Sequence, residues 1–480
     1  MRLLPGNMKL SGRVSLAESD LLSLSEAQMR QVRGGRIGMI FQEPMTALNP
    51  LMRVGDQIAE VLQLQTALRG SAQRQRVIEL MEEVGIPDAS ERYNWYPHQL
   101  SGGQKQRIMI AMALAGEPEL LIADEPTTAL DVTIQAQVLE LLLSLQQKRG
   151  LTILFITHDM GLVAHRVGVM YKGKLIEVLA IEQFFKSAHH PYTRRLIANA
   201  LPVTEFRSPV AHSETVLSTE ALTVSFAGRR KGWLLRKQPD TIAVNGIDLH
   251  VNKGETLALV GESGCGKTTL AQALLKLVPA KGRISFLNHA LIGMSEREMR
   301  PLRKHLQVVF QDPYGAFNPR MTVGKLIREG MDSLNVGEPS NRDARVAELL
   351  SLVGLEPAHA GRYPHEFSGG QRQRIGIARA LAVEPSLIIC DEPTSALDVT
   401  VRGQILTLLD ELQQRMGVSY LFITHDLSIV PRIAHRVAVM QAGNIVETGT
   451  TEQVLTAPKE AYTQRLLASA PHRYLQQRLA

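Results

Sequence analysis

Short apolar runs that end in polar residues recur along the chain, and their spacing predicts strands separated by helices. In the second half, "STEALTVSF" (Ser218–Phe226) and "IAVNGIDLHV" (Ile242–Val251) alternate apolar and polar positions, as strands buried on one face do. "GETLALVGES" (Gly254–Ser263) is continuously apolar in its middle and runs into a glycine-bearing loop. "LQVVFQ" (Leu306–Gln311), "SLIICDEP" (Ser386–Pro393) and "YLFITHD" (Tyr420–Asp426) are further apolar runs, with helical segments between them. This is an α/β plan with a parallel sheet, whose chemistry sits at the carboxyl ends of the strands.

The pattern occurs twice. Tyr96–Thr133 and Tyr363–Thr400 are identical at 28 of 38 positions, and the offset of 267 holds from Ser101 to Ser368, from Asp124 to Asp391 and from His158 to His425. It is 269 between Gln42 and Gln311. Further back, "LLPGNMKLSGRVSL" lies opposite "KLVPAKGRISF", which places Met1 opposite about Leu275. The Pro-, Ser- and Thr-rich stretch Ala200–Thr219 lacks helical periodicity and reads as a linker. The expected domains are residues 1–200 and 217–480, joined by residues 201–216.

Composition narrows the function classes. A chain of 480 residues, 44% hydrophobic and 21% charged, is ordinary for well-cored domains. No apolar run reaches the roughly 18 to 20 residues that cross a bilayer, and "MRLLPGNMKLSG" is too short and polar for a secretory signal, so the expectation is a cytosolic chain. Cys265 and Cys390 are too few for a disulfide framework, a four-cysteine zinc site or an iron–sulfur cluster, and read as buried reduced thiols. The net charge of +6 rests on 53 basic and 47 acidic residues, a mildly basic surface that makes a weak case for nucleic acid.

The residues with chemistry begin at Gly261. Gly261-Glu262-Ser263-Gly264-Cys265-Gly266-Lys267-Thr268-Thr269 follows a strand and opens a helix, which is the phosphate-loop pattern. Its N–H groups and the helix N-terminus cradle phosphates, Lys267 reaches the β and γ oxygens, and the Thr268 hydroxyl ligates Mg²⁺. "LIICDE" ends an apolar strand in an acidic pair, with Asp391 for the Mg²⁺ shell and Glu392 to polarise the attacking water. Ser368-Gly369-Gly370-Gln371 and Ser101-Gly102-Gly103-Gln104, each ahead of an amphipathic helix, are further helix termini suited to phosphate.

With these motifs in order and spacing, the whole chain resembles, twice over, an ABC-type ATPase. The resemblance implies two tandem P-loop nucleotide-binding domains, each with a helical subdomain (around 51–115 and 320–380), that use ATP and Mg²⁺. It makes Gln311 the Q-loop glutamine, close to the metal, Asp398 the D-loop aspartate and His425 the switch histidine that meets the γ-phosphate, with Gln42, Asp131 and His158 as first-copy equivalents. Adenine usually stacks on an early aromatic: Phe226 is the candidate, although Trp233 could take the role and Phe226 could be core. The insertion that follows Phe226, with five basic residues from Arg229 to Lys237 around "WLL", reads as a solvated hairpin or a lipid-headgroup contact.

Such domains pair head to tail, each ATP lying between one P-loop and the other domain's signature. One complete site is therefore expected: the loop Gly261–Thr269, Gln311, Asp391, Glu392 and His425, closed by Ser101, Gly102, Gly103 and Gln104, within one chain rather than a homodimer. The mirror site would pair Ser368–Gly370 with a first-copy loop that the sequence lacks, although Asp124, Glu125 and His158 are present. By the count of the second copy, the first lacks the equivalent of residues 217–274, which reads as a late start or a truncated gene and should leave a sheet face and strand edges bare.

"FQEPMTALNPLMRVGDQI" and "FQDPYGAFNPRMTVGKLI", with "HHPYTRRLI" and "EAYTQRLL" beyond the cores, are similar to segments of the ATPases of oligopeptide, dipeptide and nickel importers, and the fused double form resembles those of glutathione or microcin-type peptide importers. The implied partners are two transmembrane permease subunits and a periplasmic or extracellular solute-binding protein. The implied place is peripheral, on the cytoplasmic face of the plasma membrane. The rival reading, a soluble duplicated ABC protein working on ribosomes or DNA, expects a long charged linker or cysteine-rich insertions, which this chain lacks. A non-hydrolysing fragment is the third reading.

Overall fold

The computed structural model describes the chain except for residues 5–7, 128–131, 158–163, 201–205, 211–213, 229, 232–235, 238–239, 396 and 469–480. Asp131, His158 and Trp233 lie outside the described residues. The chain divides into two compact units, one of residues 1–130 with 134–158, the other of residues 131–133 with 159–480.

In the first unit, strands β1 (Ile37–Ile40), β2 (Leu120–Asp124) and β3 (Thr152–Ile156) form a parallel sheet in that order. Helices α1 (Val54–Gln65), α2 (Gly70–Glu83), α3 (Gly102–Leu114) and α4 (Val132–Arg149) accompany them. Ile58, Leu80, Ile108 and Leu142, one from each helix, share a core with Leu121 and Ala123 of β2. Among the described residues β3 pairs with β2 alone, and its Leu154 and Ile156 are 52% and 45% exposed.

The second unit begins with the antiparallel hairpin β4 (Arg166–Tyr171) and β5 (Lys174–Ala180), followed by helices α5 (Ile181–Ser187) and α6 (Pro191–Ala200). An antiparallel layer follows, in which β6 (Thr215–Phe226) lies between β7 (Thr241–Asn252) and a strand after the phosphate loop. Then come β8 (Thr256–Val260), helix α7 (Lys267–Leu274), the third layer strand β9 (Lys281–Phe286) and β10 (Leu306–Val309). Helices α8 (Val323–Leu334), α9 (Arg342–Leu352) and α10 (Gly369–Leu381) form the helical part. The main sheet is completed by β11 (Leu387–Asp391), helix α11 (Val399–Met416), β12 (Ser419–Thr424), β13 (Arg436–Gln441) and β14 (Asn444–Thr450), and helix α12 (Ala461–Ala468) follows. Its order is β10-β11-β12-β8-β13-β14, parallel throughout except for β14.

Central position explains the unbroken apolar run of β8. Successive side chains of a strand point to opposite faces. Ala258 and Val260 enter the core shared with α8 to α11, while Leu257 and Leu259 enter the core under the antiparallel layer and α7. Tyr420 and Phe422 of β12 join the first core, and Leu421 and Ile423 join the second. Leu421 and Ile423 are fully buried, whereas Leu154 and Ile156, at the same places in the first copy, are half exposed. The first copy's expected bare sheet face is thus present at β3. In the second unit β13 is paired on both sides and its Met440 is buried, while among the described residues β4 pairs only with β5 and exposes Met170.

Candidate nucleotide site

The loop between β8 and α7 is shaped by glycines at positions where no side chain fits. Gly266 has φ of +112°, and a Cβ there would come within 2.3 Å of the Ala243 carbonyl oxygen and 2.7 Å of the Met440 Cε. A Cβ on Gly261 would meet the Met440 carbonyl oxygen at 2.2 Å. The backbone is therefore pressed against β7 and β13. Lys267 is buried at the first position of α7, and its Nζ donates to the carbonyl oxygens of Gly261 at 2.7 Å and Glu262 at 2.8 Å. An ammonium in that place is satisfied by the loop and lies where phosphate oxygens would enter.

The acidic end of β11 lies beside this loop. Thr268 Oγ1 donates to Asp391 Oδ1 at 3.3 Å. Asp391 is buried, and desolvation, followed by the neighbouring Glu392 charge, pushes its carboxyl up from the ordinary aspartate value. Such a carboxylate gains from a nearby cation. The fit to Mg²⁺ is of the kind expected for an ion carried in with phosphates: one hydroxyl and one carboxylate stand together, and among the described residues no cluster of three or more His, Cys, Asp or Glu could hold a metal without them.

Glu392 follows Asp391 with a left-handed φ of +45°, rare for a non-glycine residue and commonest where function fixes the backbone. Its N–H donates to the Ile423 carbonyl oxygen of β12 at 3.0 Å, which holds the turn. Glu392 Oε2 accepts from Gln311 Nε2 at 3.1 Å and lies 3.1 Å from His425 Nδ1. Burial alone would raise the Glu392 carboxyl, but the His425 hydrogen bond and charge, aided by Lys267, hold it below the ordinary glutamate value. Burial would lower the His425 imidazole, and Glu392 with Asp426 instead raises it. Gln311, Asp391, Glu392 and His425, placed together by the sequence, converge here with Lys267 and Thr268.

Both signature serines cap helices. Ser101 Oγ accepts from Gln104 N and Gln104 Oε1 accepts from Ser101 N, and Ser368 with Gln371 does the same. Ser-Gly-Gly-Gln is therefore a capping box in its own right. A Cβ on Gly370 would come within 2.3 Å of Val401 Cγ1, and one on Gly103 within 2.8 Å of Ile134 Cγ2, so these glycines let the signature helix approach the next one. Gly102 and Gly369 begin the helices. Asp398 caps α11 by accepting from the N–H groups of Thr400 and Val401.

In the first copy the strand end keeps its shape without the loop. Glu125 has φ of +44°, its N–H donates to the Ile156 carbonyl oxygen at 2.8 Å, and its Oε2 accepts from Gln42 Nε2 at 2.9 Å. Asp124 ends β2 as Asp391 ends β11.

Phe226 is 45% exposed, so it is not a core residue. It pairs with Thr241, two residues before Ala243, whose carbonyl oxygen a Cβ on Gly266 would meet. The insertion is a hairpin, with residues 230–231 pairing antiparallel with 236–237. The sequence reading missed Asp426, which binds Arg402 at 2.5 Å and supports the His425 segment. It also missed Tyr462, whose hydroxyl accepts from Glu262 N at 3.2 Å. Each sits in a quoted repeat, "ITHD" and "YT", and recurrence at matched places in both copies was the signal available.

A phosphate loop before a parallel sheet's first helix, a strand-end Asp-Glu pair, a glutamine and a histidine on that glutamate, and a capped Ser-Gly-Gly-Gln helix define the ATP-binding cassette class of ATPase. The ABC transporter family model matches residues 1–128 and 244–395, and the chain belongs to that family. A second model, described as the oligopeptide/dipeptide transporter C-terminal region, matches residues 176–222 and 446–479. The chain is 50% identical over 468 residues to the peptidoglycan transport ATP-binding protein YejF of Agrobacterium fabrum, covering 96% of this chain and 85% of that protein. It is 47% identical over 484 residues to the glutathione import ATP-binding protein GsiA of Salmonella paratyphi A, covering 94% and 77%. With an uncharacterised ABC transporter ATP-binding protein YejF of Escherichia coli K12 it shares 47% identity over 477 residues, covering 98% and 89%. The protein is an ATPase with two cassette copies. Among the described residues no helix is long and apolar enough to cross a membrane.

Proposed function

We propose that this ATPase energises an importer for peptides or related small solutes, acting with two permease subunits and a solute-binding protein at the cytoplasmic face of the cell membrane. The observation that carries the chemistry is the convergence of Lys267, Thr268, Gln311, Asp391, Glu392 and His425 around one glycine-shaped loop. The match of the peptide-transporter C-terminal region in both copies, and the names of the relatives, support the cargo class. Nothing in composition or fold calls for a nucleic-acid partner.

Bound ATP–Mg²⁺ would supply the electrophilic γ-phosphoryl group and the charge that screens it. Lys267, held by the Gly261 and Glu262 carbonyls, would exchange them for phosphate oxygens, and Thr268 and Asp391 would hold the ion. Glu392 Oε2 accepts the proton of the attacking water, and Gln311 and His425 fix the direction of that oxygen. Ser101, Gly102, Gly103 and Gln104 close this site from the first copy, so the working pair is intramolecular, and the functional domains are residues 1–200 and 217–480. Phe226 stacks the adenine.

The test is ATP turnover by the chain reconstituted with its permease. Glu392→Gln and Ser101→Arg should each abolish it, and turnover unchanged by Ser101→Arg would end the proposed pairing. Absence of turnover in the unaltered chain beside its permease would favour a non-hydrolysing role.

A further inference from the structure

One peptide group in the phosphate loop, that between Gly261 and Glu262, is held at both ends by side chains. Its carbonyl oxygen accepts from Lys267 Nζ at 2.7 Å. Its N–H donates to the Tyr462 hydroxyl at 3.2 Å. Tyr462 is not part of the cassette core. It lies on α12, in the C-terminal region beyond the main sheet, and is buried there against the core that also contains Val260, the residue before the loop.

Helix α12 is itself pinned to the sheet. Glu447 of β14 accepts from the N–H groups of Lys459 and Glu460, which precede α12. The first copy repeats the clamp: Glu177 of β5 accepts from the N–H groups of His189 and His190 ahead of α6. The matching tyrosine there is Tyr192, and the described residues around it include no phosphate loop. Tyr192 instead packs on Tyr171, with ring centroids 4.3 Å apart, and remains half exposed. The same helix with the same clamp thus carries a tyrosine that is buried where it meets a phosphate loop and stacked on a neighbour where it does not.

We propose that Tyr462 is a positioning residue for the phosphate loop, fixing the Gly261–Glu262 peptide so that its carbonyl aims at Lys267 and the ammonium stands ready for phosphate. Without the hydroxyl, the Glu262 N–H loses its partner and the peptide is free to rotate between its two neighbours. The lysine then loses one of the two carbonyl acceptors that hold it in place. The cost falls on nucleotide binding, since the water-activating group Glu392 is not on this peptide. The C-terminal region is in this way joined directly to nucleotide affinity. This rests on the ATPase reading of the same loop.

Tyr462→Phe in the full chain removes the hydroxyl and keeps the ring. Loss of one neutral hydrogen bond should raise KM for ATP, and Kd for ADP, by about two- to tenfold, with kcat changed by less than about twofold and the melting temperature nearly unaltered. Tyr192→Phe should leave KM unchanged. Hydrogen exchange gives a second reading, in which the Glu262 amide exchanges faster in Tyr462→Phe while amides of β8 keep their protection. A variant with KM, Kd and Glu262 exchange all equal to the unaltered chain overturns the proposal, as does one that loses only melting temperature. An unaltered chain that binds no ADP or ATP overturns the ATPase reading and this inference with it, whereas binding by the unaltered chain and by Tyr462→Phe alike overturns this inference alone.

Discussion

Gly264 and Gly266 lie two residues apart in the phosphate loop, and the structure gives them very different tolerance for a methyl group. Both have positive φ, +76° and +112°, so alanine at either meets backbone strain of about 1–2 kcal/mol. At Gly264 nothing lies within 4 Å of the added Cβ, so strain is the whole cost. At Gly266 the Cβ would also lie 2.3 Å from the Ala243 carbonyl oxygen. That oxygen is a backbone atom of β7, between the paired residues Ile242 and Val244, and cannot swing aside as the end of a side chain could. Forcing the strand back adds about 1–3 kcal/mol, by the usual cost of overpacking. With a factor of ten for every ~1.4 kcal/mol, Gly264→Ala should weaken ATP binding roughly tenfold and Gly266→Ala by roughly thirtyfold to a thousandfold or more. Equilibrium binding of a fluorescent ATP analogue measures both, with thermal melting to confirm folding. Equal losses in the two variants would refute the reasoning, because they share strain and differ in the close contacts that Gly266 alone makes with Ala243 and Met440.

Three further outcomes are expected. Glu392→Gln should lower kcat by about 10²–10⁴-fold, the usual weight of a general base, while Kd for ATP stays within a few fold; undiminished turnover would remove Glu392 from the role. His425→Asn should move the acid limb of the kcat–pH profile to higher pH, because burial pushes the Glu392 carboxyl up once the imidazole that chiefly opposes it is gone. The intact pair has two limits: its stabilisation is lost as pH falls through the depressed Glu392 value and as it rises through the raised His425 value. A calorimetric pH series in which neither limit depends on His425 would contradict this. Leu421→Lys should prevent folding of the second unit, whereas Leu154→Lys at the matching exposed place should change the melting of the first by less than about 1 kcal/mol, and a large loss there would show that β3 is covered.

The parts of the molecule that the sequence made legible are those written locally. Apolar runs with polar ends became β8, β10, β11 and β12, and the loop, the strand-end acids and the repeated His-Asp ending could be ordered along the chain before any contact was known. Ser-x-x-Gln spacing was read for phosphate, and its immediate structural meaning, a capping box, follows from the same four residues. Long-range contacts were not legible. Tyr462 lies 200 residues from Glu262, and only folding brings its hydroxyl to that amide. Equally, apolarity could not show that Leu154 and Leu421 have opposite exposure, since each strand carries the same pattern and the difference lies in what covers it. Phe226 was ambiguous for the same reason.

The two strand-end glutamates, Glu125 and Glu392, share a left-handed backbone, an amide bonded to the neighbouring strand and a glutamine on the carboxylate, although only one has a phosphate loop beside it among the described residues. The shape of the hydrolytic corner is therefore inherited from the sheet and requires no nucleotide or loop to impose it. In engineering terms the corner and the loop are separable modules, tied in the second copy by the Thr268–Asp391 hydrogen bond. A strand–loop–helix insert copied from residues 255–275 and placed against β3 would meet a glutamate already held by Gln42 and by the Ile156 carbonyl.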